Sequence, residues 1–365
     1  MINISRLLFP DMPPFSGDAL RYPEKDPPHV PVVVWHVTGR CNLSCRHCYA
    51  YVEHGIPSDC FDRTESRVFL RLLAKLRLPA LLLSGGEPLC HPDFDYLLSE
   101  AHDLGLKVTV STNGTLVTER EIGLLARCAS YVGISVDGPR DLHDGFRGKR
   151  GAFDAAVRAL ELLSSAGCRT GLRVTLIRPV IERLVEILEL AETLPLSRVC
   201  FYHFMPSGKG KSADLLMPDG WDENMAVRRI IEWADSLREA RGVPPIPEVL
   251  TVGDASDSVA LYRYMESRHP ERARDTLDLL RRSSRKPAGV GILSVRWDGA
   301  VFHDQFSWGE PLGNWRDLES IIACSGTEPE LARECESCGE AGAICGARRR
   351  NFGRECLAGA GNRLS

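Results

Sequence analysis

The chain reads as an α/β protein, a partial (β/α)6 TIM-type barrel followed by a cysteine-rich extension. Three observations predict this. Six strand-like runs alternate with amphipathic stretches of helical spacing between residues 30 and 204, and such alternation implies a parallel sheet with right-handed crossovers. The residues suited to chemistry fall where the strand runs end, which is where parallel barrels carry their sites. Finally, 13 cysteines stand in a chain whose N-terminus lacks a basic region followed by an apolar secretory segment, a pattern that points to metal ligation rather than disulfides.

Residues 1–29, rich in proline and polar side chains, read as an irregular arm. Val30 to Thr38 is a nearly continuous β-branched run, the pattern of a strand buried on both faces. The strand runs that follow are Ala80 to Gly86, Lys107 to Gly114, Tyr131 to Gly138, Gly171 to Ile177 and Arg198 to Phe204. Between them Thr64 to Leu76, Phe94 to Leu104, Glu119 to Cys128, Phe153 to Ala166 and Ile181 to Leu194 have helical spacing. Six such units leave the barrel open. The expected divisions are an arm over 1–29, the barrel over 30–210, a helical connector over 211–286 and a cysteine-bearing unit over 287–365. Within the connector Trp221 to Ala240 and Ser258 to Leu280 read as helices, and Pro244-Pro245-Ile246-Pro247 as a stiff link, because proline fixes φ and lacks a donor. Val290 to Trp297, the Asp298-Gly299 turn and Ala300 to Phe302 form a hairpin.

A length of 365 residues allows one large domain or two ordinary ones, since a domain runs roughly 100 to 200 residues. The formal charge of -4 gives no nucleic-acid or membrane signature. No apolar run approaches the ~20 residues that span a bilayer. A cytoplasmic protein is expected.

The stretch Arg40 to Ala50 leaves the first strand carrying Cys41, Cys45 and Cys48. Three thiolates on one tight loop suit three irons of a cubane and leave the fourth iron open, whereas Fe–S clusters are normally closed by four Cys and zinc sites favour paired CxxC elements. The second strand ends in Ser84-Gly85-Gly86-Glu87-Pro88, the third in Ser111-Thr112-Asn113-Gly114 and the fourth in Ser135-Val136-Asp137-Gly138. Gly85 and Gly86 lack the Cβ that keeps a ligand from the backbone. The CxxxCxxC order followed by aromatic Tyr49, together with the Gly-Gly-Glu triplet, resembles the radical S-adenosylmethionine (SAM) superfamily. That resemblance implies a 4Fe-4S cluster on the three cysteines, whose open iron chelates the amino and carboxylate groups of SAM and whose electron cleaves it to a 5'-deoxyadenosyl radical. It also implies that Tyr49, Gly85, Gly86 and Glu87 border SAM, that Ser111, Asn113 and Ser135 reach its ribose, and that Arg173 meets its carboxylate. Gly-Gly and Asn-Gly pairs are also ordinary turn formers, and Arg173 has the alternative of a barrel salt bridge.

Cys335, Cys338, Cys345 and Cys356 lie in a Gly- and Arg-rich segment near the C-terminus. Four thiolates there suit a second, closed cluster, and a zinc ribbon uses the same residue types. Asp298-Gly299-Ala300-Val301 followed by Leu312-Gly313-Asn314 resembles the entry to SPASM and twitch extensions, which implies an auxiliary Fe-S cluster. Where peptide-maturing SPASM enzymes place their first hairpin cysteine, this chain has Phe302-His303-Asp304-Gln305-Phe306, so one auxiliary cluster is expected. The remaining Cys60, Cys90, Cys128, Cys168, Cys200 and Cys324 mostly fall in helical or strand patterns and read as small buried hydrophobes.

Trp35 to Tyr49, Leu81 to Pro88, Tyr131 to Gly138, Phe146-Arg147-Gly148, Gly171 to Leu176, Val252 to Tyr262 and His303 to Phe306 are together similar to the radical SAM enzymes of heme d1 biosynthesis and of the siroheme-dependent alternative heme pathway. This implies an iron tetrapyrrole substrate whose propionate or acetate side chains are modified, and a low-potential electron donor such as flavodoxin or ferredoxin. Arg348, Arg349 and Arg350 are candidates to grip the carboxylates in bidentate fashion, against the commoner solvated face. His203 and His303 are candidates for the tetrapyrrole iron, against the commoner hydrogen-bonded structural role. Two rival functions remain: a SPASM-type peptide maturase, for which residues 1–29 do not resemble a leader-binding domain, and a non-catalytic Fe-S electron-transfer or scaffold protein, which has no use for a SAM pocket.

Overall fold

The computed structural model describes residues 1–23, 30–50, 61–212, 216–241, 247–254, 256–283, 291–306 and 309–325. Among the described residues eleven strands form one sheet. Taken along the chain, the first is β1 (Ile2–Asn3), followed by β2 (Val32–Thr38), β3 (Leu81–Gly85), β4 (Val108–Thr112), β5 (Tyr131–Ser135) and β6 (Thr170–Leu176). Next come β7 (Arg198–His203), β8 (Glu248–Val252), β9 (Ile292–Val295), β10 (Ala300–Phe302) and β11 (Gly313–Asn314). The spatial order is β1-β8-β7-β6-β5-β4-β3-β2-β9-β10-β11. From β2 to β8 every neighbouring pair is parallel, so all these strands deliver their C-terminal loops to the same end. The order ends in β1 on one side and β11 on the other, which leaves the sheet open, as a partial barrel requires.

Each of the six expected strands forms, and helices Arg63–Lys75, Phe94–Asp103, Glu119–Cys128, Ala152–Ser165 and Leu184–Thr193 separate them. Burial on both faces explains the apolar character of β2: Val33, Val34 and Trp35 are 0% exposed. The Trp35 ring meets Phe61 and Phe69 edge-on at 5.2 and 5.0 Å. Helix Arg63–Lys75 starts at a reciprocal capping box between Asp62 and Glu65, which satisfies donors that have no partner inside the helix.

Three features depart from the sequence reading. First, β8 adds a seventh consecutive parallel strand inside the stretch read as a helical connector. Its run is five residues long, opens with a glutamate and follows four residues that include three prolines, so its pattern is that of a link. Second, the 290–302 hairpin forms with Val301 opposite Val295, yet β9 also runs parallel to β2, so the hairpin continues the barrel sheet. Third, residues 1–23 are not an irregular arm. β1 pairs antiparallel with β8, and Ile4, Leu7, Leu8 and Phe9 are at most 1% exposed. The helical stretch Ser258 to Leu280 is broken into Asp257–Arg268 and Pro270–Arg282, because Pro270 is tolerated at a helix start and not in its interior. Among the described residues no helix is long and apolar enough to cross a membrane.

The N-terminal segment is fastened at the end of the sheet away from the loops. Glu248, fully buried, accepts from Asn3 Nδ2 at 3.0 Å and Arg21 Nη1 at 2.6 Å, and its second oxygen accepts from Arg198 Nε. Removing one member of such a network leaves the others buried and unpaired. Glu248→Ala is therefore expected to cost about 3 kcal/mol, measured by urea unfolding, and an unchanged midpoint would show that the network contributes nothing.

Candidate active site

The cysteine loop is fixed by backbone contacts before any ligand is considered. In β2, His36 pairs with Ser84 and Thr38 with Gly85, leaving Val37 as an extra residue. Such a bulge re-aims the chain that follows it. Gly86 N donates to Thr38 O and Glu87 N to Arg40 O, both at 2.8 Å. A Cβ on Gly85 would lie 2.4 Å from Thr38 O, and one on Gly86 2.3 Å from Arg40 O. Glycine is thus required here by the approach of the cysteine loop itself. From the opposite side Ser44 N donates to Arg147 O at 3.2 Å, Arg46 N to Phe146 O at 3.1 Å and Lys209 N to Cys48 O at 3.0 Å.

Cys45 is buried, Cys48 half-buried and Cys41 exposed. Burial pushes the Cys48 thiol up to about 11, with Cys45 adding to the rise, so metal uptake by this loop must release protons. Among the described residues no three His, Cys, Asp or Glu side chains converge on a single-ion site.

A cavity open to solvent lies at the loop end of the sheet. Its lining includes Tyr49, Ser111, Ser135 and Arg173, four residues singled out in the sequence, together with His47, Arg147, Thr175, Tyr202, Gln305 and Phe306. The Arg173 guanidinium sits over the Tyr202 ring, 4.6 Å from its centroid. Among the described residues no carboxylate is within 4.0 Å of it. A cation facing a cavity without a counter-ion is suited to an anionic ligand. Tyr49 meets Phe306 edge-on at 5.0 Å, and Ser207 Oγ donates to Phe306 O at 2.7 Å, so the segment after β10 closes one wall.

Other predicted residues serve the frame of the site. Glu87 is 1% exposed and accepts from Thr112 Oγ1 and Asn113 N, both at 2.7 Å. Burial lifts its carboxyl to about 7 despite these donors. Asn113 donates to Asn42 Oδ1 at 2.9 Å and accepts from Thr115 N at 2.8 Å, tying the end of β4 to the cysteine loop. Neither side chain lines the cavity. His203 does, but its Nε2 is 3.0 Å from Asp257 Oδ2 and its Nδ1 3.6 Å from Glu223 Oε1. Both ring nitrogens face carboxylates, with Nε2 at hydrogen-bond distance from Asp257 and Nδ1 beyond it from Glu223. His303 is exposed on the hairpin. Cys128, Cys168 and Cys200 are buried and Cys90 is half-buried, while Cys324 is exposed, contrary to the pattern of its helix. Cys60, Cys335, Cys338, Cys345, Cys356 and Arg348 to Arg350 lie outside the described residues.

The structure adds a buried group that the sequence reading left without a role. Asp137, 0% exposed, follows β5 and pairs with Arg147 Nη2. Burial by itself would raise the Asp137 carboxyl, but Arg147, His47, His143 and the Thr175 amide hold it below its ordinary value. Burial lowers both His47 and His143 to about 4, so both imidazoles are neutral. Only the ion pair across the fold identifies this cluster, because Asp137 and Arg147 are ordinary charged residues in the sequence.

This combination of an open parallel barrel, a three-cysteine loop after its first barrel strand and a cation-bearing cavity at the strand ends defines a class of enzyme. Residues 35–191 match the Radical SAM superfamily. The chain is 37% identical over 93% of its length, and 89% of the relative's, to Fe-coproporphyrin III synthase of Methanosarcina barkeri. It belongs to the radical SAM superfamily, and a 4Fe-4S cluster and SAM are its cofactors. It is also 29% identical to pre-heme d1 synthase of Dinoroseobacter shibae, covering 88% of this chain and 81% of that one. Among solved structures, SuiB of Streptococcus suis bound to S-adenosylmethionine has the same fold, with a TM-score of 0.64 at 15% identity over 87% of this chain and 72% of that one.

Asp257 and Glu223 raise His203 well above its ordinary 6.5, against the lowering effect of burial. The stability this gives is complete below pH 6.5 and is lost as pH rises through the elevated value. Asp257→Asn is expected to move the His203 titration down, followed by NMR of the imidazole, and to narrow the stability gap between the two proteins as pH rises. An identical titration in both proteins would contradict the pairing.

Proposed function

We propose that this enzyme uses SAM-derived radical chemistry to modify acetate or propionate side chains of an iron tetrapyrrole derived from siroheme. The observation that carries this reading is likeness to Fe-coproporphyrin III synthase across nearly the whole of both chains, rather than over the barrel alone. In this reading Cys41, Cys45 and Cys48 hold the 4Fe-4S cluster and leave one iron for SAM. The bound cluster and SAM supply the electron and the hydrogen-abstracting radical.

The protein's share is placement and exclusion of water. Arg173 receives the SAM carboxylate, and Ser111 and Ser135, on the same cavity wall, offer hydroxyls to the ribose. The edges of Gly85 and Gly86 face the amino group, while Glu87 and Asn113 keep β3, β4 and the cysteine loop in register. Tyr202, Phe204 and Phe306 are the aromatic residues that line the cavity beside Tyr49. Cys335, Cys338, Cys345 and Cys356 would hold an auxiliary Fe-S cluster, which would supply an electron-accepting centre, and Arg348 would grip a substrate carboxylate. A low-potential protein such as flavodoxin or ferredoxin supplies the first electron.

The central test is anaerobic incubation of the reconstituted enzyme with SAM, reductant and siroheme-derived iron tetrapyrroles, followed by mass analysis of the ring. Loss of carboxylate-bearing mass with release of 5'-deoxyadenosine is the expected result. Vigorous SAM cleavage with every ring unchanged in mass would remove the tetrapyrrole reading and leave the radical SAM class intact. Cys45→Ala is expected to abolish SAM cleavage, and retained cleavage contradicts the role given to the loop. Arg173→Met is expected to weaken SAM binding about 10- to 100-fold, the equivalent of roughly 1.5–3 kcal/mol for a hydrogen bond to a charged group, read by equilibrium dialysis.

A further inference from the structure

Arg147 ends helix Arg140–Arg147 and is 7% exposed. The last carbonyls of a helix have no partner within it. Here two of them are filled by the amides on either side of Cys45: Arg147 O accepts from Ser44 N and Phe146 O from Arg46 N. Gly148, at φ +68, turns the chain away, and a Cβ there would meet Ser44 O at 3.1 Å. The helix end and the cysteine loop therefore form one joint. Through that joint the Arg147 side chain reaches back, with Nη1 donating to Cys45 Sγ at 3.6 Å and Nη2 to Asp137 Oδ2. Asp137 is held in turn by Thr175 N, which donates to Oδ1 at 2.8 Å, and its own amide donates to His143 Nδ1 at 3.0 Å.

We propose that Arg147 is a positioning residue for the iron site, holding Cys45 in place and making reduction there easier through its permanent charge. The inference rests on Cys45 being a cluster ligand, as assigned above. Hydrogen bonds to cluster sulfurs and local net charge set the reduction potential of an Fe-S centre. A cation donating to a ligand sulfur stabilises the reduced, more negative state and raises that potential. Arginine suits the task better than lysine, because its planar fork serves Cys45 with one nitrogen and Asp137 with another. A buried ion pair is weak support for a fold, since apolar residues of similar volume often serve as well. The geometry, with one guanidinium shared between a carboxylate and a ligand sulfur, gives the charge a use.

The test compares full-length, anaerobically reconstituted Asp137→Asn with the double variant Arg147→Gln/Asp137→Asn, which strands no buried carboxylate. Without any tetrapyrrole present, each is titrated against redox mediators and the reduced cluster is followed by electron paramagnetic resonance. The double variant is expected to be harder to reduce by at least about tenfold in the equilibrium, a midpoint more negative by about 59 mV for one electron. A double variant that unfolds at the same temperature as the single one yet fails to retain iron also supports the positioning role. Equal potentials with equal iron content overturn the proposal. Should the double variant not fold, Arg147→Met/Asp137→Asn gives the reading: a midpoint below that of Asp137→Asn supports the proposal, and an equal midpoint overturns it. Wild-type protein that binds no cluster would instead remove the assignment of Cys45, so the two failures are distinguishable.

Discussion

The close approach of two backbones, the end of β3 and the chain leaving β2, is the constraint on which the site depends. Gly85 and Gly86 permit it, since any Cβ there would sit inside the contact distance of the Thr38 and Arg40 carbonyls. The two hydrogen bonds made across the gap turn the cysteine loop into an extension of the sheet. Its cysteines are then aimed by rigid strands rather than by a wandering loop, and a site held by regular structure keeps its geometry more precisely than one built on loops alone.

Around this contact the protein buries several polar groups that bond to one another. Glu87 spends its carboxylate on Thr112 and Asn113, Asn113 reaches Asn42 on the cysteine loop, and Asp137 gathers Arg147, Thr175 and His143. Satisfied networks of this kind rigidify a site, whereas a half-satisfied one is costly. Arg173 is the contrast. It has an aromatic face beneath it and no carboxylate among the described residues within ion-pair distance. The imbalance sits at the cavity, which is where a ligand's own charge can complete it.

Much of the barrel was legible because its signals are local. A nearly continuous apolar run marks β2 as buried on both faces, helical spacing marks the crossovers, and CxxxCxxC is readable without knowing where the loop will sit. Ser111, Ser135 and Arg173 were named from the family resemblance, and the fold brings them to one cavity with Tyr49. β8 and the N-terminal segment were missed for the opposite reason. Five residues after a proline-rich link carry too little periodicity to register, and Ile4, Leu7 and Leu8 show a helical face only once β8 gives them something to cover. His203 illustrates a different gap: its position at the end of β7 was plain, but Asp257 and Glu223, which occupy its nitrogens, are 54 and 20 residues further along the chain.

What the amino-acid order determined by itself was the alternation that forces a parallel sheet, the cysteine spacing suited to an open cluster, and the glycine pair that follows the second barrel strand. These need only periodicity, covalent spacing and the absence of a Cβ, all of which are properties of short segments. Tertiary structure alone decided that β9 would extend the barrel sheet and that Arg173 would line the cavity with no carboxylate of the described residues within ion-pair distance. It also decided that Arg147 would join a helix end to the sulfur of Cys45. Those outcomes depend on which distant groups a fold brings within a few ångströms, and on how burial strengthens the charges it encloses.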